Sequence, residues 1–181
     1  MFKKFTPADD ISSTNKVKNS VVRSIISQIV ETYPTLEEAI DEILPKNSLL
    51  IGKALDNVQV LLVEDEILFF QNKDIGPWFP TLRLVHKYPD IMPRMQVDKG
   101  AIRFVLGGAN IMCPGFTSAG GSMPEELPAE SPVAVYAEGK QHCMALGLTK
   151  MSTADIKRVN KGIAVETMHY LADGLYTDYK L

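Results

Sequence analysis

Between residues 16 and 33, Val17, Val21, Val22, Ile25, Ile26, Ile29 and Val30 recur at helical spacing and form one wide apolar stripe. Pro34 ends the pattern, because its ring clashes with a helical residue before it. Thr35-Leu36-Glu37-Glu38 has the spacing of a capping box and predicts a second, acidic helix that Pro45 stops. Residues 49–55, 58–63 and 66–71 then read as short strands, with Asp56-Asn57 and Glu64-Asp65 as tight turns. Leu68-Phe69-Phe70 is apolar on both faces, as suits a strand covered on both sides. Gly76-Pro77-Trp78-Phe79-Pro80 breaks the run, and a short helix is expected from Thr81 to Lys87, closed by Pro89.

Pro89 and Pro93 bracket a stiff connector, Asp90-Ile91-Met92, which divides the chain into domains 1–92 and 93–181. Beyond it, a helix opens at Asp98 or Lys99 and ends at Gly107-Gly108, and Ile111-Met112 begins a strand. The turn-rich polar stretch 117–132 reads as a mobile loop. Residues 133–137 and 142–150 form a hairpin across Glu138-Gly139-Lys140. A capped helix from Ser152 to Asn160, closed by Gly162, leads to a strand over 163–170. The expected class is α+β, with an N-terminal α/β domain of two or more helices on a small antiparallel sheet.

Composition narrows the setting. At 181 residues the chain can bury one large core or two small ones. No apolar run approaches the roughly 20 residues that span a bilayer, and the start Met-Phe-Lys-Lys-Phe is not a signal peptide, so a cytoplasmic protein without a membrane anchor is expected. Cys113 and Cys143 are too few for a disulfide framework or a four-cysteine zinc site. A formal charge of −3 argues against a general nucleic-acid coat. The charge is unevenly spread, however. Glu31, Glu37, Glu38, Asp41 and Glu42 cluster without a base, whereas Arg83, Lys87, Arg94, Lys99 and Arg103 face only Asp90 and Asp98 over residues 81–103. A local basic patch is one reading of that segment, and an ordinary solvated mixed surface is the other.

The candidate chemistry is binding rather than catalysis. Lys99 and Arg103, four residues apart, share a helix face that runs into Gly107-Gly108, where a phosphate backbone can approach main-chain N–H groups. Those glycines follow a helix and lack a Gly-Lys-Ser/Thr ending, so neither a P-loop nor a dinucleotide fingerprint is present. Phe69, Phe70, Trp78, Phe79 and Tyr88 read mainly as packing. Trp78, flanked by prolines and glycine, is the one that could reach the surface and anchor a protein partner. His86, His142 and His169 lack metal-ligand spacing, and Cys113 reads as a small buried hydrophobe. Glu37-Glu38 and Glu125-Glu126 lie on a solvated helix and in a loop. No catalytic constellation, cofactor or metal is expected.

Lys99-Gly100-Ala101, a basic helix, then Gly108-Ala109-Asn110-Ile111-Met112-Cys113-Pro114-Gly115 closely resembles the opening of a PUA domain, a small β-barrel module of RNA-associated proteins. The likeness extends over essentially the whole chain. The start Met1–Phe5, Pro80–Pro89, Gln96–Leu106, Ala137–His142 and Val159–Ile163 resemble the malignant T-cell-amplified sequence family, in particular its fungal, translation-machinery-associated branch. The resemblance implies a family-specific N-terminal domain, a C-terminal PUA β-barrel and a non-enzymatic role on the small (40S) ribosomal subunit. It also implies a heterodimer with density-regulated protein, acting in tRNA release during ribosome recycling and in translation re-initiation. The PUA domain would face the tRNA acceptor end through Lys99, Gly100, Arg103, Gly107, Gly108 and Lys140, while Arg83, His86, Lys87 and Arg94 would form a second surface toward RNA. An accessory RNA-binding subunit of an RNA-modification complex is the alternative.

Overall fold

The computed structural model describes residues 1–55 and 57–181. The chain opens with a single helical turn, α1 (Pro7–Asp10), an edge strand β1 (Ser13–Lys16) and the long helix α2 (Asn19–Thr32). A 3-10 turn at Pro34–Leu36 leads to α3 (Ile40–Ile43) and three strands, β2 (Leu49–Lys53), β3 (Val58–Val63) and β4 (Glu66–Asn72). Then come β5 (Phe79–Pro80) and α4 (Leu82–Lys87). The second half runs through β6 (Arg94–Val97), a 3-10 turn at Lys99–Ala101, α5 (Ile102–Val105), β7 (Ile111–Met112) and α6 (Cys113–Thr117). It ends with β8 (Pro132–Ala137), β9 (Ala145–Thr149), α7 (Thr153–Val159), β10 (Ile163–Tyr170) and α8 (Gly174–Thr177).

The first five strands make an antiparallel sheet in chain order. Helix α2 buries Val22, Ile25 and Ile29, the inner line of its predicted stripe. Glu64 and Asp65 both take positive φ, 49° and 66°, the conformation of a two-residue primed turn between β3 and β4. Of the other expected turn, Asp56 lies outside the described residues, and Asn57 has a φ of 58°. One strand lies outside the expected elements, and one expectation is corrected. Strand β1 is wholly polar and has no apolar period to reveal it, so only pairing with β2 makes it a strand. The capping box does not form, because the Thr35 hydroxyl donates to the Asp90 carbonyl at 3.3 Å. The predicted second helix is therefore reduced to α3, held by the burial of Leu36, Ile40, Ile43 and Leu44.

The C-terminal sheet has the order β6-β8-β9-β10-β7 and curls into a half-barrel. Strand β6 lies parallel to β8, a pairing that needs a long crossover and that hairpin signals do not reveal. Its other edge is closed by Ser122, which exchanges backbone hydrogen bonds with Gln96 at 2.9 Å in both directions. The stretch 117–132, expected as a mobile loop, is thus tied down. Met123 is buried, and Leu127 and Thr153 exchange bonds at 3.0 Å. The Thr149 hydroxyl donates to Pro128 and accepts from the Ser131 amide, both at 2.9 Å. Cys113 is fully buried, as expected of a small hydrophobe.

One core joins the two sheets, and a second, including Val97, Val105, Ile111 and Phe116, lies within the C-terminal half. Phe69, Phe70, Trp78 and Phe79 pack with Leu146, Leu148, Met168 and Leu175 of the second half. Trp78, expected at the surface as a partner anchor, is corrected by this packing. It is only 2% exposed, and its carbonyl accepts the Tyr33 hydroxyl at 2.6 Å, so it offers no surface to a partner. Gly-Pro and Phe-Pro neighbours turn it inward onto the sheet instead. At the seam, Phe2 and Phe70 meet the His169 ring edge-on, at 6.1 and 5.7 Å between centroids. His169 and Asp173 are fully buried, and their side chains meet at 2.7 Å between Nδ1 and Oδ2. Asp173 also accepts from the Tyr170 amide at 3.0 Å and the Tyr176 amide at 2.9 Å. The Gly174 amide then donates to the Phe2 carbonyl at 2.7 Å, and a Cβ at Gly174 would stand 2.1 Å from the Phe5 carbonyl oxygen.

Asp173→Ala would leave a buried imidazole and two buried amides without an acceptor. Urea denaturation should show a loss of about 3 kcal/mol or more, read as a lower midpoint at unchanged slope. Burial also pushes the Cys143 thiol up to about 12 from an ordinary value of 9.0. The fold therefore keeps a proton that the unfolded chain gives up first. The contribution is intact below pH 9 and is lost between about 9 and 12, at up to about 1.4 kcal/mol per pH unit. Cys143→Ala should flatten that alkaline decline in thermal melts.

Candidate nucleic-acid interface

The site begins at Asp98. Its Oδ1 accepts the Ala101 amide at 3.0 Å, capping the turn at Lys99–Ala101, and its Oδ2 accepts the Ser118 hydroxyl. The Asp98 amide donates to Gly115 at 3.1 Å, which ties the cap to α6. From this fixed start, α5 turns Val105 into the barrel and leaves Arg103 and Phe104 outside. The helix ends where Gly108 takes a φ of +87°. There a Cβ would stand 3.0 Å from the Tyr170 hydroxyl, so glycine is required both by conformation and by space. Asn110 Oδ1 accepts the Thr167 amide at 3.1 Å, and Thr167 Oγ1 donates to Ala109 at 2.9 Å, fixing the segment that leads into β7.

Between α5 and β7 lies a groove of about 560 Å3 whose floor and walls are mainly apolar, including Ala101, Val105, Ile111 and Pro114. Phe104 and Met112 stand on its sides, 56% and 49% exposed, unusual values for such residues unless they serve a surface. The Arg103 guanidinium sits 4.7 Å from the centre of the Phe104 ring. Among the described residues, Lys99, Arg103 and Lys140 have no acidic partner within ion-pair distance. The groove offers an apolar surface with an exposed aromatic ring beside the Arg103 cation, while Lys99 turns toward Gly139, and such a surface suits a single-stranded nucleic acid.

Gly100 lines this groove, and exposed Gly107 stands beside it at the end of α5. Lys140 is on the β8–β9 turn, next to Gly139, where a Cβ would stand 3.7 Å from the Lys99 Cε, and it lines a second groove with Arg94. The four residues expected as a second surface do not form one patch. Arg83 donates twice to the Tyr176 carbonyl, at 3.2 and 2.8 Å, and stacks at 4.5 and 3.9 Å over the rings of Tyr176 and Tyr179. It shares its groove with Lys87 and with Glu42, Glu64 and Glu66. His86 Nε2 lies 2.8 Å from the Cys143 carbonyl, a bond across the seam. Arg94 points to the opposite side, toward Tyr136 and Lys140. Phe104 and Met112 were not singled out by sequence. Phe104 was legible as the one aromatic on the polar side of α5, next to Arg103, whereas the exposure of Met112 depends on the short pairing of β7.

The chain matches the Pre-PUA-like domain family over residues 5–89 and the PUA domain family over residues 93–171. These define its class, a PUA-domain protein with a dedicated N-terminal partner domain. It is 53% identical over 179 residues to translation machinery-associated protein 20 of Eremothecium gossypii, and 50% identical over 179 residues to malignant T-cell-amplified sequence 2 of Homo sapiens. Each alignment covers 97% of both chains. The chain belongs to the malignant T-cell-amplified sequence family. Its fold is similar to that of a hypothetical protein from Pyrococcus horikoshii, with a TM-score of 0.71 at 24% identity over 91% of this chain and 98% of that one. A PUA-domain structure from Aeropyrum pernix in complex with tartrate gives a TM-score of 0.65 at 18% identity, covering 91% and 89%. No helix among the described residues is long and apolar enough to cross a membrane.

The two glycines at the end of α5 should behave differently. Gly108→Ala forces a positive φ and crowds Tyr170, and it should cost about 1–2 kcal/mol. At Gly107 the nearest atoms to a built Cβ are backbone oxygens at 3.4 and 3.5 Å, so Gly107→Ala should stay within about 0.5 kcal/mol of the parent in the same denaturation assay.

Proposed function

We propose that the protein is a non-enzymatic, RNA-binding translation factor of the cytoplasm that works on the small (40S) ribosomal subunit. The observation that carries this reading is the α5–β7 groove of a PUA domain, where exposed Phe104 and Met112 lie beside the unpaired Arg103, with the unpaired Lys99 on the neighbouring β8–β9 side. Such a surface supports binding of a single-stranded RNA end. The tRNA acceptor end fits, with its bases against Phe104 and its phosphates on Lys99 and Arg103. Gly100 and Gly107 keep the backbone open to the strand, and Gly108 sets the end of the helix.

The name of the Eremothecium relative supports placing that RNA on the translation machinery. In this reading the protein acts as a heterodimer with density-regulated protein, in tRNA release during recycling and in re-initiation. Binding energy, not bond chemistry, is coupled to tRNA placement. Lys87, together with the more constrained Arg83 and His86, turns the N-terminal half toward ribosomal RNA. A protein of net charge −3 binds RNA weakly outside such patches, so contacts shared with a partner supply the avidity.

The test is co-sedimentation with 40S particles from cell lysate at low and moderate salt. The parent protein should migrate with free 40S and be released by salt. Lys99→Glu with Arg103→Glu should move it to the top of the gradient with an unchanged circular-dichroism spectrum. Unchanged co-sedimentation of that folded double variant overturns the reading, and co-purification with an RNA-modifying enzyme instead of ribosomal particles favours the accessory-subunit role.

A further inference from the structure

A second groove, of about 370 Å3, lies between β6, the Ser122–Pro124 segment and the β8–β9 turn. Arg94 and Lys140 line it, and among the described residues no carboxylate does, Asp90 reaching Arg94 from outside the lining. By contrast, the α5–β7 groove contains Asp98, and the groove beside Arg83 contains three glutamates. The remaining polar lining is neutral and rich in hydrogen-bonding groups, chiefly Gln96, Gln141 and Ser122.

The Arg94 guanidinium is held in place but not used up. It lies 4.7 Å from the centre of the Tyr136 ring, and a single nitrogen, Nη2, makes its bonds to Pro89 and Asp90, both at 3.2 Å. Nε and Nη1 have no partner among the described residues. The Asp90 side chain is 87% exposed, and a pair of that kind contributes little, so a phosphate can compete with it. The wall opposite is rigid. Gln96 is bonded through its backbone to Ser122 at 2.9 Å both ways, and its Nε2 donates to Gly120 at 2.7 Å, which leaves Oε1 as a free acceptor. Lys140 and Gln141 extend from the turn on the other side, exposed and without a partner among the described residues. A guanidinium stacked and tethered at Nη2 is pre-organised: Nε and Nη1 are free to donate to phosphate oxygens, and a two-pronged contact forms where the phosphate displaces Asp90 from Nη2.

We propose that this groove is a nucleotide-binding site, separate from the α5–β7 groove, that takes an RNA phosphate on Arg94 and Lys140 and the edge of the adjoining base on the Gln96 and Gln141 amides. The proposal rests on the RNA-binding reading for the class of ligand only. An RNA strand and a free nucleotide present the same phosphate and base, so the strand is distinguished by affinity.

The experiment is a titration of the full-length 15N-labelled protein, followed by NMR at low salt, with AMP, inorganic phosphate and a single-stranded oligo(A) octamer of RNA. AMP and the octamer should shift the Gln96, Tyr136 and Gln141 signals, the octamer with at least tenfold higher affinity. Arg94→Gln with Lys140→Gln should weaken octamer binding at these signals at least tenfold while distant signals stay in place. Both effects should persist in the Lys99→Glu, Arg103→Glu protein, even where that protein has lost ribosomes. Equal affinity for AMP and the octamer would make the ligand a free nucleotide and overturn the RNA assignment. Phosphate saturating the same signals as tightly as AMP would reduce the groove to an anion site and overturn the proposal. Shifts confined to the α5–β7 groove, or an octamer affinity unmoved by the folded Arg94, Lys140 variant, would also overturn it. Retained ribosome binding by the Lys99, Arg103 variant alongside these shifts would remove the proposed function and leave this site standing.

Discussion

The chain that forms the seam between the two halves is shaped by a buried carboxylate. Asp173 accepts from the His169 imidazole and from the amides of Tyr170 and Tyr176, so one side chain both ends β10 and starts α8. Removing a charge from water is costly unless every acceptor position is used, and here the partners are local and fixed by backbone geometry. The remaining imidazole nitrogen, Nε2, has no partner among the described residues and faces a shell that includes Phe2 and Phe70. That unmatched atom is the cost of placing a polar pair where two apolar sheets meet. In return the seam has a unique register: Gly174 bonds to Phe2 and packs against Phe5 too closely for any other residue.

The proposed binding surfaces can be less regular because the seam is rigid. Short elements such as α5 and β7 would not be stable alone, yet they hold a groove with exposed Phe104 and Met112. The Asp98 cap, the Gly108 turn and the Asn110–Thr167 bond replace the order that length would otherwise give. The side chains left over for RNA are therefore few and their backbone positions are set. Arg83 and His86 show the opposite use of the same residue types. Both have been drawn into holding the seam, through the Tyr176 and Cys143 carbonyls.

Much of this was legible in the residues. The α2 stripe, the β3–β4 turn, the Thr81 and Ser152 caps and the strand over 163–170 follow from local periodicity and turn chemistry, and the structure has them. What was not legible is non-local. Strands β1 and β6 owe their existence to a neighbour rather than to their own pattern, and the 117–132 stretch is ordered by side chains from β6, β9 and α7. The capping box failed because Thr35 found an acceptor in the connector at Asp90. Trp78 misled for a related reason. Prolines on both sides suggest exposure, but they also fix a bend that can point a side chain inward. In the proposed site, the short basic helix and its end at Gly107-Gly108 were readable from sequence. The division of the other basic residues among separate grooves required the fold.

The last residues of the chain close the first sheet. The Ile67 amide donates to the Tyr179 carbonyl and the Leu181 amide to that of Asp65, so the tail runs beside β4 after crossing from the other half. Arg83 stacks on Tyr176 and Tyr179 of this same tail. During synthesis the N-terminal sheet can pair its own strands early, since their contacts are close in sequence. Its outer edge and the seam beneath it stay incomplete until the segment from Tyr176 to Leu181 has been added. Without that segment the two halves would be present and the clasp between them missing.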